Sequence, residues 1–401
     1  MQACSPLWPV TLWVLVGTSP AWAQALDADT LKFRADYTLK TDSNLQRLSS
    51  SANTLALTGR TSAAERIGIT TIGVKFNKAY SLQRLELDLS LVDYNYQNFS
   101  QFSFTASNYA AAWRWSLTPR FYGSLTTDRE ETLNSFSDFQ GLTPITQRNQ
   151  RTTTATGFDA TYDIDGTWSL LGGVTRTQQT NQLTLGTGDD YSANSASVGV
   201  RRASGSNSAL TYNLKSSTGK NLNTNASSNE FNQIDNELRL FWVVTGNTTA
   251  SLSATYINRS HPNLPARDYS GLNTGVNVNW NITGKTTLAA NWVHQLASFQ
   301  TTYSDYTQTD RLSLGPTWNV GNKTYVGLRY DLARIDYRGS SPTALRQDTT
   351  RDTTLTLNWQ PTLSLAVIAS LKKSTRDATV TNLPALDYSN NISSLSAEYS
   401  F

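Results

Sequence analysis

Every second residue from Leu85 to Leu91 is apolar (Leu85, Leu87, Leu89, Leu91), and the residues between them, Glu86, Asp88 and Ser90, are polar. A strand points alternate side chains to opposite faces, so the pattern separates one oily row from one wet row. Helical spacing does not fit, because a period of 3.6 residues brings Glu86 onto the apolar face. The same message returns at intervals of about twenty residues. Leu272, Val276, Val278 and Trp280 stand against Asn273, Gly275, Asn277 and Asn279, and Leu363, Leu365, Val367, Ala369 and Leu371 stand against Ser364, Ala366, Ser370 and Lys372. The alternation predicts eighteen strands, at 31–41, 66–76, 82–96, 104–117, 120–130, 151–164, 167–179, 190–202, 208–217, 232–244, 248–259, 268–281, 286–298, 305–319, 323–337, 347–360, 363–374 and 388–401. Sixteen is the alternative count.

The connections carry a second, independent pattern. Short links follow every even strand: NKAYS from Asn77, TP from Thr118, DG from Asp165, ASGSN from Ala203, TGN from Thr245, ITGK from Ile282, VGN from Val320 and PT from Pro361. Longer polar links mostly follow the odd strands. Short turns at one end, longer loops at the other and an even strand number predict an all-β fold, a transmembrane antiparallel up-and-down β-barrel. The strands are too long for a soluble sandwich, whose strands run to about 5 to 6 residues, whereas crossing lipid takes about 9 to 11. Aromatic residues crowd the ends of the apolar rows beside the short turns, as an interfacial girdle does: Phe76, Trp113, Trp115, Phe121, Tyr162, Trp168, Trp242, Trp280, Trp318 and Trp359.

The start of the chain reads as an address. Leu7 to Val16 is a short apolar core, followed by Ala21-Trp22-Ala23 and Ala23-Gln24-Ala25, which fit a small-x-small cleavage rule. Residues 1–25 are therefore expected to be a secretory signal peptide, and residues 26–401 a single outer-membrane barrel domain, placing the protein in the bacterial outer membrane with the lipid bilayer as its partner. No lysine or arginine precedes that apolar core, and Cys4 lies before it. About half a dozen residues separate the expected cleavage point from the first strand, too few for a plug domain. At the other end Leu395, Ala397, Tyr399 and Phe401 share a face. The closing Tyr399 and Phe401 resemble the signal by which the barrel assembly machinery selects its substrates.

Composition narrows the chemistry. Only 16% of residues are charged, and 33 lysines and arginines against 30 aspartates and glutamates give a net charge of +3 without clustering. That balance argues against a nucleic-acid partner. Two histidines and one cysteine leave little for a metal or haem site, so no metal and no cofactor are expected. Catalysis is not expected either: His294, with Asn291, Gln295 and Ser298 nearby, falls in the outward row, no serine nucleophile motif accompanies it, and His261 beside Pro262 reads as a loop residue.

A closed barrel of this size holds an aqueous channel. The residues opposite the apolar rows are then its lining: Lys32, Arg34, Asp36, Lys75, Arg84, Glu86, Asp88, Arg114, Asp128, Asp159, Arg201, Lys215, Glu237, Arg239, Arg311, Arg329, Asp331, Lys372 and Glu398. Eleven are basic and eight acidic, a slightly cationic wall suited to hydroxylated or weakly anionic solutes. Each of them equally fits a plain wall charge that pairs across strands. Aromatic residues on this face are few, chiefly Tyr122 and Phe241. The loops after Thr41 and after Glu130 are the candidates for narrowing the pore.

Asp29 to Ser49 (DTLKFRADYTLKTDSNLQRLS) and Ala79 to Glu130 (AYSLQRLELDLSLVDYNYQNFSQFSFTASNYAAAWRWSLTPRFYGSLTTDRE) resemble a family of outer-membrane β-barrel proteins associated with exosortase and exopolysaccharide biosynthesis clusters, and the terminal EYSF agrees. The resemblance implies a channel for export of an extracellular polysaccharide, with that polymer and its export complex as partners. It supplies no catalytic residue. A general porin for small hydrophilic solutes and a surface adhesin or structural barrel are the competing expectations.

Overall fold

Eighteen strands pair only with their sequence neighbours, all antiparallel, and the last pairs with the first, so the sheet closes on itself. The structure, a computed structural model, describes residues 30–134, 136, 147–183, 190–205, 207–222, 230–298, 304–339, 346–380 and 386–401. The expected leader at 1–25 lies outside them. The strands are β1 (Thr30–Asp42), β2 (Glu65–Tyr80), β3 (Gln83–Tyr96), β4 (Phe104–Thr118), β5 (Phe121–Leu133), β6 (Gln150–Asp163), β7 (Trp168–Asn181), β8 (Tyr191–Ser204) and β9 (Ser208–Asn221). They continue as β10 (Phe231–Thr245), β11 (Thr248–Ser260), β12 (Tyr269–Asn281), β13 (Thr286–Ser298), β14 (Tyr306–Gly321), β15 (Thr324–Arg338), β16 (Arg346–Trp359), β17 (Leu365–Val380) and β18 (Tyr388–Ser400). The architecture is that of an outer-membrane β-barrel, and the sixteen-strand alternative is set aside.

Closure follows from the solvent. Unpaired backbone N–H and C=O groups cannot be hydrated inside a bilayer, so a spanning sheet has to have no edge. The seam runs from Arg34 opposite Ser400 to Asp42 opposite Ile392. Beyond the ladder, Phe33 N donates to Phe401 O at 2.7 Å, Phe401 N donates to Phe33 O at 3.0 Å, and the two rings stack with centroids 5.6 Å apart.

The period-two rows take opposite faces as the alternation requires. Leu85, Leu89, Leu91, Leu355 and Leu371 are exposed, whereas Asp42, Glu65, Asp348 and Asn390, on the other face, are buried. Side chains converge on the concave side of a closed sheet and diverge on the convex side, so the charged rows face inward and the apolar rows face lipid. Among the girdle aromatics Trp113, Tyr162, Trp168, Trp242, Trp280, Trp318 and Trp359 are exposed beside the short turns. Trp115 departs from this pattern, at 7% exposure. Its ring lies 5.7 Å from that of Phe158 with only 6° between their planes, and it covers Gly123 across the strand pair.

Every short connection lies after an even strand, but several are placed differently from the sequence expectation: Ala203 and Ser204 continue β8, Val320 and Gly321 continue β14, and two more differ further. Asn77 to Tyr80 continue β2, and the turn is Ser81-Leu82, with Ser81 in the left-handed region at φ 53°. Asn77 stays in register because it pairs with Glu86 and its Oδ1 accepts from Arg84 Nε at 2.7 Å. In the last short connection Leu363 is 98% exposed, and β17 starts two residues later, after Thr362 Oγ1 accepts from Leu365 N at 3.0 Å. The Asp165-Gly166 turn forms as expected: Asp165 accepts from Thr167 N and Trp168 N, and Gly166 supplies φ 79°. Those two donors hold the Asp165 carboxyl below the ordinary carboxylate range.

A Cβ on Gly123 would meet the Asp159 carbonyl and the Trp115 ring, at 1.9 and 2.7 Å. Gly123→Ala is therefore expected to lower barrel stability by about 1–3 kcal/mol, read as a lower urea midpoint for unfolding from lipid vesicles, while Gly172→Ala, with open space at its Cβ, leaves the midpoint in place.

Candidate functional site: the inner wall and the loop-side mouth

Same-face neighbours on a strand lie two residues apart, close enough for one arginine to reach along its own strand. The inner wall is organised by such pairs. Arg84 Nε lies 3.3 Å from Glu86, and Arg114 of the next strand reaches the same carboxylate at 2.9 Å. Arg239 pairs with Glu237 at 2.6 Å. Arg329 makes two contacts of 2.8 Å to Asp331, which also accepts from Ser313 Oγ at 2.5 Å. Cross-strand pairs complete the set: Lys75 with Asp88 at 3.4 Å and Lys372 with Asp352 at 2.8 Å.

The register places the remaining lining candidates on the same face. Arg34 lies over Gly73, whose missing Cβ makes room for the guanidinium. Lys32 stands opposite Lys75, and Asp36 opposite Glu398. Tyr122 sits beside Asp163 and Arg201, and Arg311 opposite Ala333 near Asp331. Asp159 accepts from Ser124 Oγ. Lys215 is registered with Asp235. Ala110, Ala112 and Thr126 are small, so the wall between Lys75, Glu86, Asp88, Arg114 and Asp128 is recessed, with a volume of about 380 Å3. The recess brings Lys75, Glu86, Asp88 and Arg114 together, while Arg311, Arg329 and Asp331 occupy other strands of the wall.

Sequence reasoning missed part of this face. The register adds five bases, Lys40, Arg151, Arg259, Arg346 and Arg376, and seven acids, Asp42, Glu65, Glu130, Asp163, Asp235, Asp348 and Asp352. The expected cationic surplus of three thus falls to one, and the wall is close to neutral. Most of the missed residues sit near loop-side strand ends, where the apolar row that marks the opposite face gives way to polar residues; Asp163 ends β6 at the turn side and Asp352 is in the middle of β16. The available signal was the opposite charge two residues away, as in Arg346 and Asp348.

Aromatic residues on the inner face are also more numerous than Tyr122 and Phe241. Tyr94, Phe104, Tyr337 and Tyr388 join them at the loop-side end. Their ring faces are already covered: Tyr94 stacks on Phe104 at 4.6 Å, Arg346 lies 4.1 Å over Tyr337, and Arg376 lies 4.8 Å over Tyr388.

The loop-side mouth is lined by engaged polar groups. Asp348, 1% exposed, accepts from Arg346 Nε at 2.9 Å and Tyr337 OH at 3.1 Å, with Arg376 Nη1 3.9 Å away. The first loop, 43–64, folds back onto this face. Arg47 grips both carboxylate oxygens of Asp42, at 3.0 and 3.1 Å, and Asn390 Oδ1 accepts from Asn44 N and Ser43 Oγ, each at 3.0 Å. Leu45 then packs with Ile67, Tyr96, Phe99 and Phe102. Glu65 anchors the next loop by accepting from Asn98 N at 2.8 Å and Phe99 N at 2.6 Å. The first of the two loops expected to narrow the pore therefore covers the inner face of β2 and β3. In the second, which starts after Leu133, residues 135 and 137–146 lie outside the described residues, and Phe136 packs 5.0 Å from Phe102.

The histidines sit elsewhere. His294 Nδ1 lies 2.8 Å from Asp310 on the outward face of β13 and β14. His261 follows β11 and is buried, with Nδ1 3.4 Å from Asp268. Tyr399 faces outward, its ring 5.6 Å from Phe401 at the seam. Among the described residues no group of histidine, cysteine and carboxylate side chains is spaced to hold a metal ion.

Comparison with solved structures places the same barrel in known company. The chain is similar to the outer membrane protein OpdK from Pseudomonas aeruginosa, with 12% identity, a TM-score of 0.52, and 93% of this chain and 99% of that one covered. It is similar to OccK2 (OpdF) of the same organism at 11% identity and a TM-score of 0.54, covering 94% and 99%, and to OccK9 (OpdG) at 11% and 0.53 with the same coverage. No protein-family model matches the chain, and no curated protein matches its sequence. The shared feature is the fold: this protein is an outer-membrane β-barrel, and none of these comparisons carries the resemblance to the exosortase-associated family.

Two outcomes follow from the mouth. Asp348→Asn leaves Arg346 and Arg376 buried without their shared carboxylate and is expected to cost about 3–5 kcal/mol, measured as a fall in the urea midpoint in vesicles. Burial and the neighbouring Arg259 push the His261 imidazole below its ordinary value of 6.5, against the pull of Asp268. The folded loop keeps His261 neutral while the opened loop takes a proton, so loop stability is full above pH 6.5 and falls as pH drops from there toward the lowered folded value. Hydrogen exchange at residues 261–268, corrected for intrinsic rates, should accelerate between pH 7 and pH 5, and His261→Phe should flatten that dependence.

Proposed function

We propose that the barrel is a passive outer-membrane channel for small hydrophilic solutes, with a preference for hydroxylated or weakly anionic ones. One observation carries the reading: the inner wall is lined with charges already paired to one another, among serine, threonine and asparagine, which suits a wetted surface and not a packed interior. The near-neutral sum argues against strong ion selectivity. The first loop, folded onto the inner face, narrows the mouth on the β2–β3 side. Two of the similar barrels have been solved with organic anions, OpdK with vanillate and OccK2 (OpdF) with glucuronate. A small anionic or hydroxylated solute suits a wall on which Arg34, Arg201 and Arg311 stand among polar neighbours.

Export of an extracellular polysaccharide, the function implied by the resemblance of Asp29 to Ser49 and Ala79 to Glu130, is the alternative. It calls for free aromatic faces along the path on which sugar rings can stack, and the rings nearest the mouth are occupied by arginines or by each other.

Purified barrel in a planar bilayer is expected to give stable conductance steps with weak selectivity. Arg84→Glu with Arg114→Glu should move the reversal potential in a salt gradient toward cation preference. A folded barrel without conductance overturns the channel reading. Loss of surface polysaccharide in a deletion strain, with small-solute uptake intact, favours the export alternative.

A further inference from the structure

A groove of about 910 Å3 crosses the lipid-facing side of β16, β17, β18, β1 and β2. Its position is set by register. On β17 the outward row changes from Leu371 to Lys373, and on β2 it ends with Arg66 beside the first loop. The groove thus lies where the hydrocarbon-facing surface gives way to charge, at the loop-side end of the barrel. Leu355 and Leu371 form its turn-side wall, and the small side chains Thr41 and Ser393, whose hydroxyls meet at 2.6 Å across the seam, keep it open.

Two exposed cations flank this groove. Lys373 and Arg66 are exposed, and neither has an ion-pair partner among the described residues. Elsewhere on the loop-side belt Arg129 is paired with Glu131, Arg334 and Arg338 with Asp336, and Arg351 with Asp377, while the exposed Arg176 and Lys220 stand on β7 and β9, away from the groove. The two carboxylates at the groove, Asp42 and Glu65, point through to the inner face and are engaged there by Arg47 and by backbone amides. The groove therefore offers two uncompensated cations beside an apolar wall: Arg66 in the same cross-strand row as Leu355 and Leu371, and Lys373 two residues further toward the loops. From β17 to β2 is three strand spacings of about 4.8 Å, and the register sets Lys373 two residues further toward the loops than Arg66, so the two positions lie about 16 Å apart. One phosphate cannot meet both cations, but a head group with a phosphate at each end can.

We infer that this groove binds a glycolipid of the outer leaflet whose head carries two phosphates, one at Lys373 and one at Arg66, with an acyl chain laid against Leu355 and Leu371. The occupant is chosen by the pairing of separated cations with an apolar wall at the membrane border. The inference concerns the exterior and stands apart from the channel reading.

Native mass spectrometry of the full barrel in detergent tests it, with a bis-phosphorylated acylated glucosamine disaccharide as the probe. One bound glycolipid is expected, weakened at least about tenfold by removal of either phosphate from the probe, which requires no change in the protein. Lys373→Ala with Arg66→Ala should abolish binding with heat-modifiable migration retained, and Lys78→Ala, an outward cation at the turn-side end, should leave it unchanged. Equal binding of phosphatidylglycerol, equal binding of the dephosphorylated probe, or full binding by the double variant overturns the inference.

Discussion

The structure depends on one constraint: no backbone hydrogen-bonding group can be left open where lipid is the solvent. A sheet meets that requirement only by closing, and here closure rests on the antiparallel register of β18 with β1, extended by the mutual hydrogen bonds of Phe33 and Phe401. Closure makes one face of every strand concave and the other convex, so a single alternation of oily and wet residues becomes a lipid-facing exterior and a polar interior. Strands of 13 to 16 residues, tilted as barrels require, span the apolar layer and leave polar ends beyond it.

The interior then poses its own problem, since charges brought together on a concave wall repel unless they are matched. The chain solves it within single strands and between neighbouring ones, as in Lys75 with Asp88 and Lys372 with Asp352. Arg84 with Glu86, Glu237 with Arg239, Arg329 with Asp331 and Arg346 with Asp348 are each two residues apart and so share a face by geometry alone. Matching of this kind tolerates a wide barrel, because no pair has to reach across the lumen. It also leaves the wall near neutrality. The exterior follows a different rule: its charges are confined to the rims, where lipid head groups begin, and its aromatic residues gather beside the short turns.

The likeness to OpdK at 12% identity fits this logic. A barrel wall specifies a period, a strand length and a turn position, and many residues satisfy each. Two barrels can share the fold while few positions carry the same side chain. What distinguishes one such barrel from another lies in the inward residues and in the loops that fold onto them.

The number of strands, their order, the short and long sides and the common face shared by residues such as Lys75, Glu86 and Asp88 were legible in the sequence, because period-two alternation is local and each turn carries its own chemistry. The loop-side reach of β17 to Val380 was not, since its outward row there is polar and offers no contrast; nor was the continuation of Asn77 to Tyr80 into β2, where a turn-like composition is overridden by ladder pairing with β3. Tertiary structure alone decided which aromatic rings are free. Trp115 is turned onto Gly123 and Phe158, and Tyr337 and Tyr388 are capped by arginines, because those contacts join residues on different strands or at strand ends. It alone decided, too, that the first loop lies on the inner face and that Lys373 and Arg66 flank one groove. Alternation assigns a side chain to a face, but only closure and loop packing assign it neighbours.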